Sequence, residues 1–254
     1  MKKQQILIGS VIIIIALVVL ITSVNWQDTK GKGTILLSGI PEGATIFLDN
    51  KREGRTTQSE TSRTFTNLTV GTHTIVIAKD GYWPWSKKLS VANNETISVD
   101  AFLIPQEPSR EVLKETDEEY QRALSSITSY VLPIESSPLQ SKDGSTELWA
   151  TENAIMARWI SEEEPSDAFC ITGVCEKTFI VLPINLPIRN LAFLPGRNDV
   201  IIFSAQNGIF ALELDKRGTQ NFEPLYLGTT PQFAEGENAT LIVKDERVLF
   251  LIHF

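Results

Sequence analysis

Cys170 and Cys175 are the chain's two cysteines, set in Phe169-Cys170-Ile171-Thr172-Gly173-Val174-Cys175 with a glycine able to turn the loop back. An even count with no orphan fits a disulfide in an oxidising compartment. Free thiols and a redox-active pair are the alternatives, although redox pairs usually have two intervening residues at a helix N-terminus. Other nucleophilic chemistry has little to draw on. A Ser/His/Asp or Cys/His site needs a histidine, and the choices are His73 and His253. Glycoside hydrolysis needs only two carboxylates. The densest acidic set, Glu162-Glu163-Glu164 with Asp167, lies in a proline-containing polar stretch that reads as a solvated loop. No Walker-type glycine loop, calcium spacing or zinc set is present. The sequence therefore predicts no catalytic residue, no cofactor and no metal site.

The compartment follows from the N-terminal stretch. Ile6 to Val24 is uncharged and long enough to cross a bilayer as a helix. Lys2 and Lys3 precede it, which orients the N-terminus toward the cytoplasm and everything downstream outside it. A cleaved signal peptide would have a shorter apolar region and a small-x-small cleavage site. Here the run continues to Val24 and ends at Asn25 and Trp26, an indole suited to the headgroup level. Residues 1–32 thus read as cytoplasmic tip, membrane anchor and stalk. Setting aside Lys2 and Lys3, 21 basic residues face 31 acidic ones, a net charge of about −10 outside the membrane. Such a surface repels phosphate backbones, so nucleic acid is not an expected partner.

Residues 33–105 alternate as short strands separated by turn signals, with runs at 34–38, 44–49, 63–66, 73–79, 85–91 and 96–103. Asp49-Asn50-Lys51 reads as a turn. Pro41-Glu42-Gly43-Ala44 supplies a proline and a glycine at a tight corner. This tetrapeptide, followed by Gly71-Thr72-His73-Thr74-Ile75 and Asp80-Gly81-Tyr82, resembles the PEGA domain family. One position departs from the pattern, because Thr57 stands after Gly54-Arg55-Thr56 where proline is expected. The resemblance implies a small β-sandwich on a surface protein, with no shared catalytic residues. Glu42 in the turn reads as solvated, and His73, in step with Ile75 and Ile77, as a partly buried strand residue. Tyr82, Trp83 and Trp85 read either as the closed end of the core or as a flat platform for sugars or peptides.

Residues 106–144 form a proline-bracketed linker. Ser109 as N-cap, with Leu113, Tyr120, Leu124, Ile127 and Val131 at helical spacing, predicts a helix over about Arg110 to Ser129. Residues 145–254 contain an internal echo in which a strand-turn-strand unit recurs at 147–160, 200–214 and 240–254. Outer and inner strands are expected at 178–182 and 188–194. The units resemble β-propeller blades, but they are too few to close a propeller alone. Three Asn-x-Thr triplets begin at Asn67, Asn94 and Asn238, and no role is assigned to them.

The fold class is therefore mainly β, with an N-terminal transmembrane helix, a small PEGA-type sandwich, a short helical linker and a blade-like or propeller-like C-terminal domain. The expected function is a single-pass envelope protein whose ectodomain binds or scaffolds, with an envelope protein or cell-wall polymer as partner. An extracytoplasmic hydrolase of cell-wall sugars or peptides is the alternative.

Overall fold

The computed structural model describes residues 31–171 and 174–253. The expected span Ile6–Val24 lies outside them, and no helix among the described residues is long and apolar enough to cross a membrane. The chain begins with β1 (Lys32–Ser38), β2 (Thr45–Leu48), β3 (Lys51–Arg55), β4 (Arg63–Thr69), β5 (Gly71–Ala78), β6 (Trp85–Val91) and β7 (Thr96–Asp100). These form two sheets, ordered β4-β1-β7 and β3-β2-β5-β6. Alternation places Ile35, Leu37, Ile46, Ile75, Ile77, Leu89, Ile97 and Val99 in the shared core. β3 departs from the sequence reading. Asp49 and Asn50 alone make the turn, with φ of 51° and 64°, so Lys51 already belongs to the returning strand.

The second half contributes β8 (Ser109–Val112), α1 (Glu118–Thr128), β9 (Leu139–Gln140), β10 (Thr146–Ala150), β11 (Ala154–Trp159), β12 (Cys170–Ile171), β13 (Val174–Cys175) and β14 (Thr178–Pro183). It continues through β15 (Ile188–Phe193), β16 (Val200–Ala205), β17 (Gly208–Glu213), β18 (Phe222–Leu227), β19 (Gln232–Glu235), β20 (Thr240–Asp245) and β21 (Val248–His253). Three four-stranded sheets result: β14-β11-β10-β9, β15-β16-β17-β18 and β19-β20-β21-β8. The three repeated hairpins are β10–β11, β16–β17 and β20–β21, each in antiparallel register. No closed propeller is detected among the described residues. The second sheet lies between the other two. Val200 and Ile202 join a core with Leu241 and Val243 of the third sheet, while Ile201 and Phe203 join one with Leu148 and Ile155 of the first. Coverage on both faces explains why β16 is buried at every position.

The linker corrects one expectation. Residues 109–112 are a strand, not the first turn of a helix, and pair antiparallel with β21 to complete the third sheet. Ladder bonds along an otherwise open edge outweigh a weak helical propensity, and α1 starts only after Asp117. Ala123 and Ile127 of α1 then pack on Ala234, Ile242, Leu249 and Leu251. Beyond the helix, the Tyr130 hydroxyl donates to the Leu191 carbonyl and accepts from the Leu191 N–H, both at 2.8 Å. The Pro133 carbonyl accepts from Ala150 N–H at 2.9 Å. Residues 118–133 therefore strap all three sheets together.

Candidate functional site

The site begins with a lysine on the wrong face of a strand. In β6, Trp85, Lys87, Leu89 and Val91 all point inward, and Lys87 is fully buried with them. An unpaired buried ammonium is costly, so its partners decide where β6 can sit. Lys87 Nζ donates to Glu213 Oε2 at 2.8 Å and to the Asp215 carbonyl at 2.7 Å. It also lies 3.6 Å from Asp215 Oδ2. Both acids belong to the second sheet or the loop after it, so the lysine joins the sandwich to that sheet. Burial pushes the Glu213 carboxyl above its ordinary range, and Lys87 and Asn221 pull it back. Asn221 Nδ2 donates to Glu213 Oε2 at 2.8 Å, and Arg217 donates to both Asp215 oxygens.

The same loops cover the sandwich's open edges. β6 and β7 each lack a neighbour on one side, which leaves outward N–H and C=O groups. Ser86 N–H donates to Asn221 Oδ1 at 2.9 Å. On β7, Arg217 Nη2 donates to the Ser98 carbonyl at 2.8 Å and Arg197 Nη2 to the Asp100 carbonyl at 3.0 Å. Arg197 Nη1 donates to the Ala101 carbonyl at 3.1 Å. Burial disfavours the Arg197 charge, but Asp199 and Asp100 raise its pKa above the ordinary value. Gly218 lies so close to β6 that a Cβ there would sit 1.8 Å from the Lys88 carbonyl oxygen. Its φ of 64° disfavours other residues as well.

A cleft of about 780 Å3 opens beside this junction, a size ordinary for ligand sites. Thr72, Ser90 and Thr96 line its sandwich side, and Glu164, Cys170 and Cys175 its other side. The disulfide is formed, with Cys170 directly opposite Cys175 across β12 and β13. It therefore pins a hairpin at the mouth of the cleft. Glu162, Glu163 and Glu164 are exposed, and Trp159 Nε1 donates to the Glu163 carbonyl. Asp167 begins a one-turn 3-10 segment.

Other singled-out residues turn out to shape the fold. Ala44 is fully buried, and its N–H donates to Thr56 Oγ1 at 3.0 Å, while Thr56 Oγ1 donates to the Pro41 carbonyl at 2.7 Å. Gly43 has a φ of 75°, and Glu42 projects into solvent. Tyr82, Trp83 and Trp85 do not make an exposed platform. Trp85 is 1% exposed, Trp83 packs on the same core, and Tyr82 carries Lys79 Nζ 4.5 Å from its ring centre. Aromatic area is more stabilising inside so small a sandwich than on its surface. Asn67, Asn94 and Asn238 all have φ between 52° and 59°, a conformation asparagine tolerates in turns, so backbone geometry accounts for them. His73 is buried beside Ile75 and Ile77, as its strand position implies.

Lys87, Arg197, Glu213, Asp215, Arg217 and Asn221 were not legible as a set. One signal was available, because a lysine in step with Trp85, Leu89 and Val91 implies a buried acidic partner. The acids lie 126 and 128 residues downstream, and nothing local connects them. No curated protein matches the chain. The family model of the PEGA domain matches residues 32–107, so the two-sheet sandwich that carries Lys87 and the Pro41–Ala44 turn is a PEGA domain.

Proposed function

We propose that this chain is a membrane-anchored envelope protein whose ectodomain binds or scaffolds, without catalysis. The observation that carries the reading is the buried junction of Lys87 with Glu213, which ties the PEGA domain to the second sheet as one body. A scaffold needs its modules at fixed separation, and a buried, mutually satisfied polar set holds one geometry better than an apolar contact does. The three blade-like sheets, strapped by residues 118–133, supply broad surfaces for a partner. Chemistry on an outside substrate at the junction is disfavoured, since Glu213 is buried and sealed against Lys87. The test is retention from envelope extract on the immobilised full chain in neutral detergent. A defined partner, retained by the wild type and held less well when Lys87→Met loosens the junction, is the expected result. Release of soluble sugar or peptide fragments from purified cell wall would instead establish the hydrolase.

A further inference from the structure

The buried junction gathers more than an ion pair. Glu213 Oε2 accepts from Lys87 Nζ and from Asn221 Nδ2, each at 2.8 Å, so the amine and the amide nitrogen lie within twice that distance of each other. Asn221 Oδ1 accepts at 2.9 Å from the N–H of Ser86, the residue before the lysine. Lys87, Glu213 and Asn221 are all buried, and the lysine is fully enclosed. A nucleophile, a carboxamide, a carboxyl group touching both and a donor on the amide oxygen are therefore brought together away from water. Asp215 is the rival acyl group, with Oδ2 3.6 Å from Lys87 Nζ. Arg217 donates to both of its oxygens and holds it as a carboxylate, which an amine attacks far less readily than an amide.

We propose that Lys87 and Asn221 form an intramolecular isopeptide bond, with Glu213 as its acid–base catalyst. The Lys87 ammonium passes one proton to Glu213, and the freed amine attacks Asn221 Cγ. Burial already pushes the Glu213 carboxyl above its ordinary range, which suits it to hold that proton. Negative charge developing on Asn221 Oδ1 is met by the Ser86 N–H. Glu213 then moves a proton from Nζ to Nδ2, the Cγ–Nδ2 bond breaks, and ammonia leaves as the Nζ–Cγ amide forms. An amine and a carboxamide become a secondary amide and ammonia, so no oxidant or other co-reactant is needed. Amides resist amines in free solution, but here the two groups are held together and competing water is excluded. Until the bond forms, Lys87 is the ion-pair partner described above. Afterwards the sandwich is tied covalently to the loop between β17 and β18.

The test is mass spectrometry of the full chain purified in neutral detergent, with the disulfide reduced. The wild type should weigh one ammonia less than its sequence, and proteolysis should release a branched peptide joining the segments around Lys87 and Asn221. Lys87→Met and Glu213→Ala should each abolish the branched peptide and restore the full mass. The wild-type peptides stand as evidence whether or not either variant folds. Separate linear peptides carrying unmodified Lys87 and Asn221 from the folded wild type would overturn the proposal. Loss of one water, with the branch at Asp215, would overturn Asn221 as the acyl group, and a branched peptide persisting in Glu213→Ala would overturn Glu213 as the catalyst. None of these outcomes touches the binding reading, which stands or falls on retention of a partner.

Discussion

His73 has both ring nitrogens facing acceptors: Nδ1 lies 2.7 Å from Asp49 Oδ2 and Nε2 lies 2.7 Å from the Thr69 carbonyl. Only the doubly protonated ring can donate to both. Burial works against that charge, but the Thr69 carbonyl and Asp49 raise the His73 pKa above its ordinary value. Desolvation also opposes ionised Asp49, and the Thr74 N–H and His73 lower its pKa in spite of it. A raised folded-state pKa means that the histidine's stabilisation is fully present below about 6.5 and is lost as pH rises through the folded value. The Asp49 contribution runs the other way, being present above about 3.9 and lost as pH falls through its lowered value. Denaturant midpoints should therefore fall between about pH 6 and pH 9, and His73→Gln should flatten that slope. An equal slope in the variant would remove His73 as its source. Lys87 gives a larger effect. Lys87→Met leaves Glu213 and Asp215 buried without their ammonium, so chemical denaturation should show a loss of about 3 to 5 kcal/mol. Adding Glu213→Leu should recover part of it.

At the scale of elements, the strap and the hairpin should behave differently. Tyr130→Phe removes the hydroxyl that satisfies both Leu191 backbone groups, and two polar groups left partly buried cost about 1 to 3 kcal/mol. Burial pushes the Tyr130 phenol up to about 12 despite its bond to Leu191, so its phenolate band should be missing below pH 11. Reducing Cys170–Cys175 should matter less. Its loop has four intervening residues, so the bridge contributes at most the roughly 3 kcal/mol expected of a fifteen-residue loop. Mass spectrometry of unreduced, alkylated protein should find both cysteines unlabelled, and full labelling would disprove the bridge in solution. The hairpins β10–β11, β16–β17 and β20–β21 were legible because short apolar runs, the turns between them and their recurrence are signals within the sequence. β8 was not, because Ser-Arg-Glu-Val has no strand pattern of its own and becomes one only against β21.

As a whole molecule, the two-sheet sandwich and the strapped sheets should unfold as one unit. Calorimetry is expected to show a single transition for the wild type and a single one at lower temperature for Lys87→Met, because one apolar core runs from the PEGA domain into the second and third sheets. Two transitions in the wild type would deny that the junction couples them. Protease added outside intact cells should digest everything beyond Trp26, as the uncharged run after Lys2 and Lys3 implies. Digestion only after lysis would reverse the topology.

The sequence by itself determined the features that depend on neighbours along the chain. These are the paired cysteines, the Pro41–Ala44 turn with Gly43 at positive φ, the inward step of His73 with Ile75 and Ile77, and the recurring hairpins. Tertiary structure alone decided what covers the faces and edges so formed. Lys87 could be seen to need an acid, but only packing brought Glu213 to it across 126 residues. Nothing near Arg197 or Arg217 in the chain points to the carbonyls of β7, which have no strand beside them. Local periodicity specifies which face of an element is apolar. Which surface covers it depends on long-range burial, and that has no signature within a window of sequence.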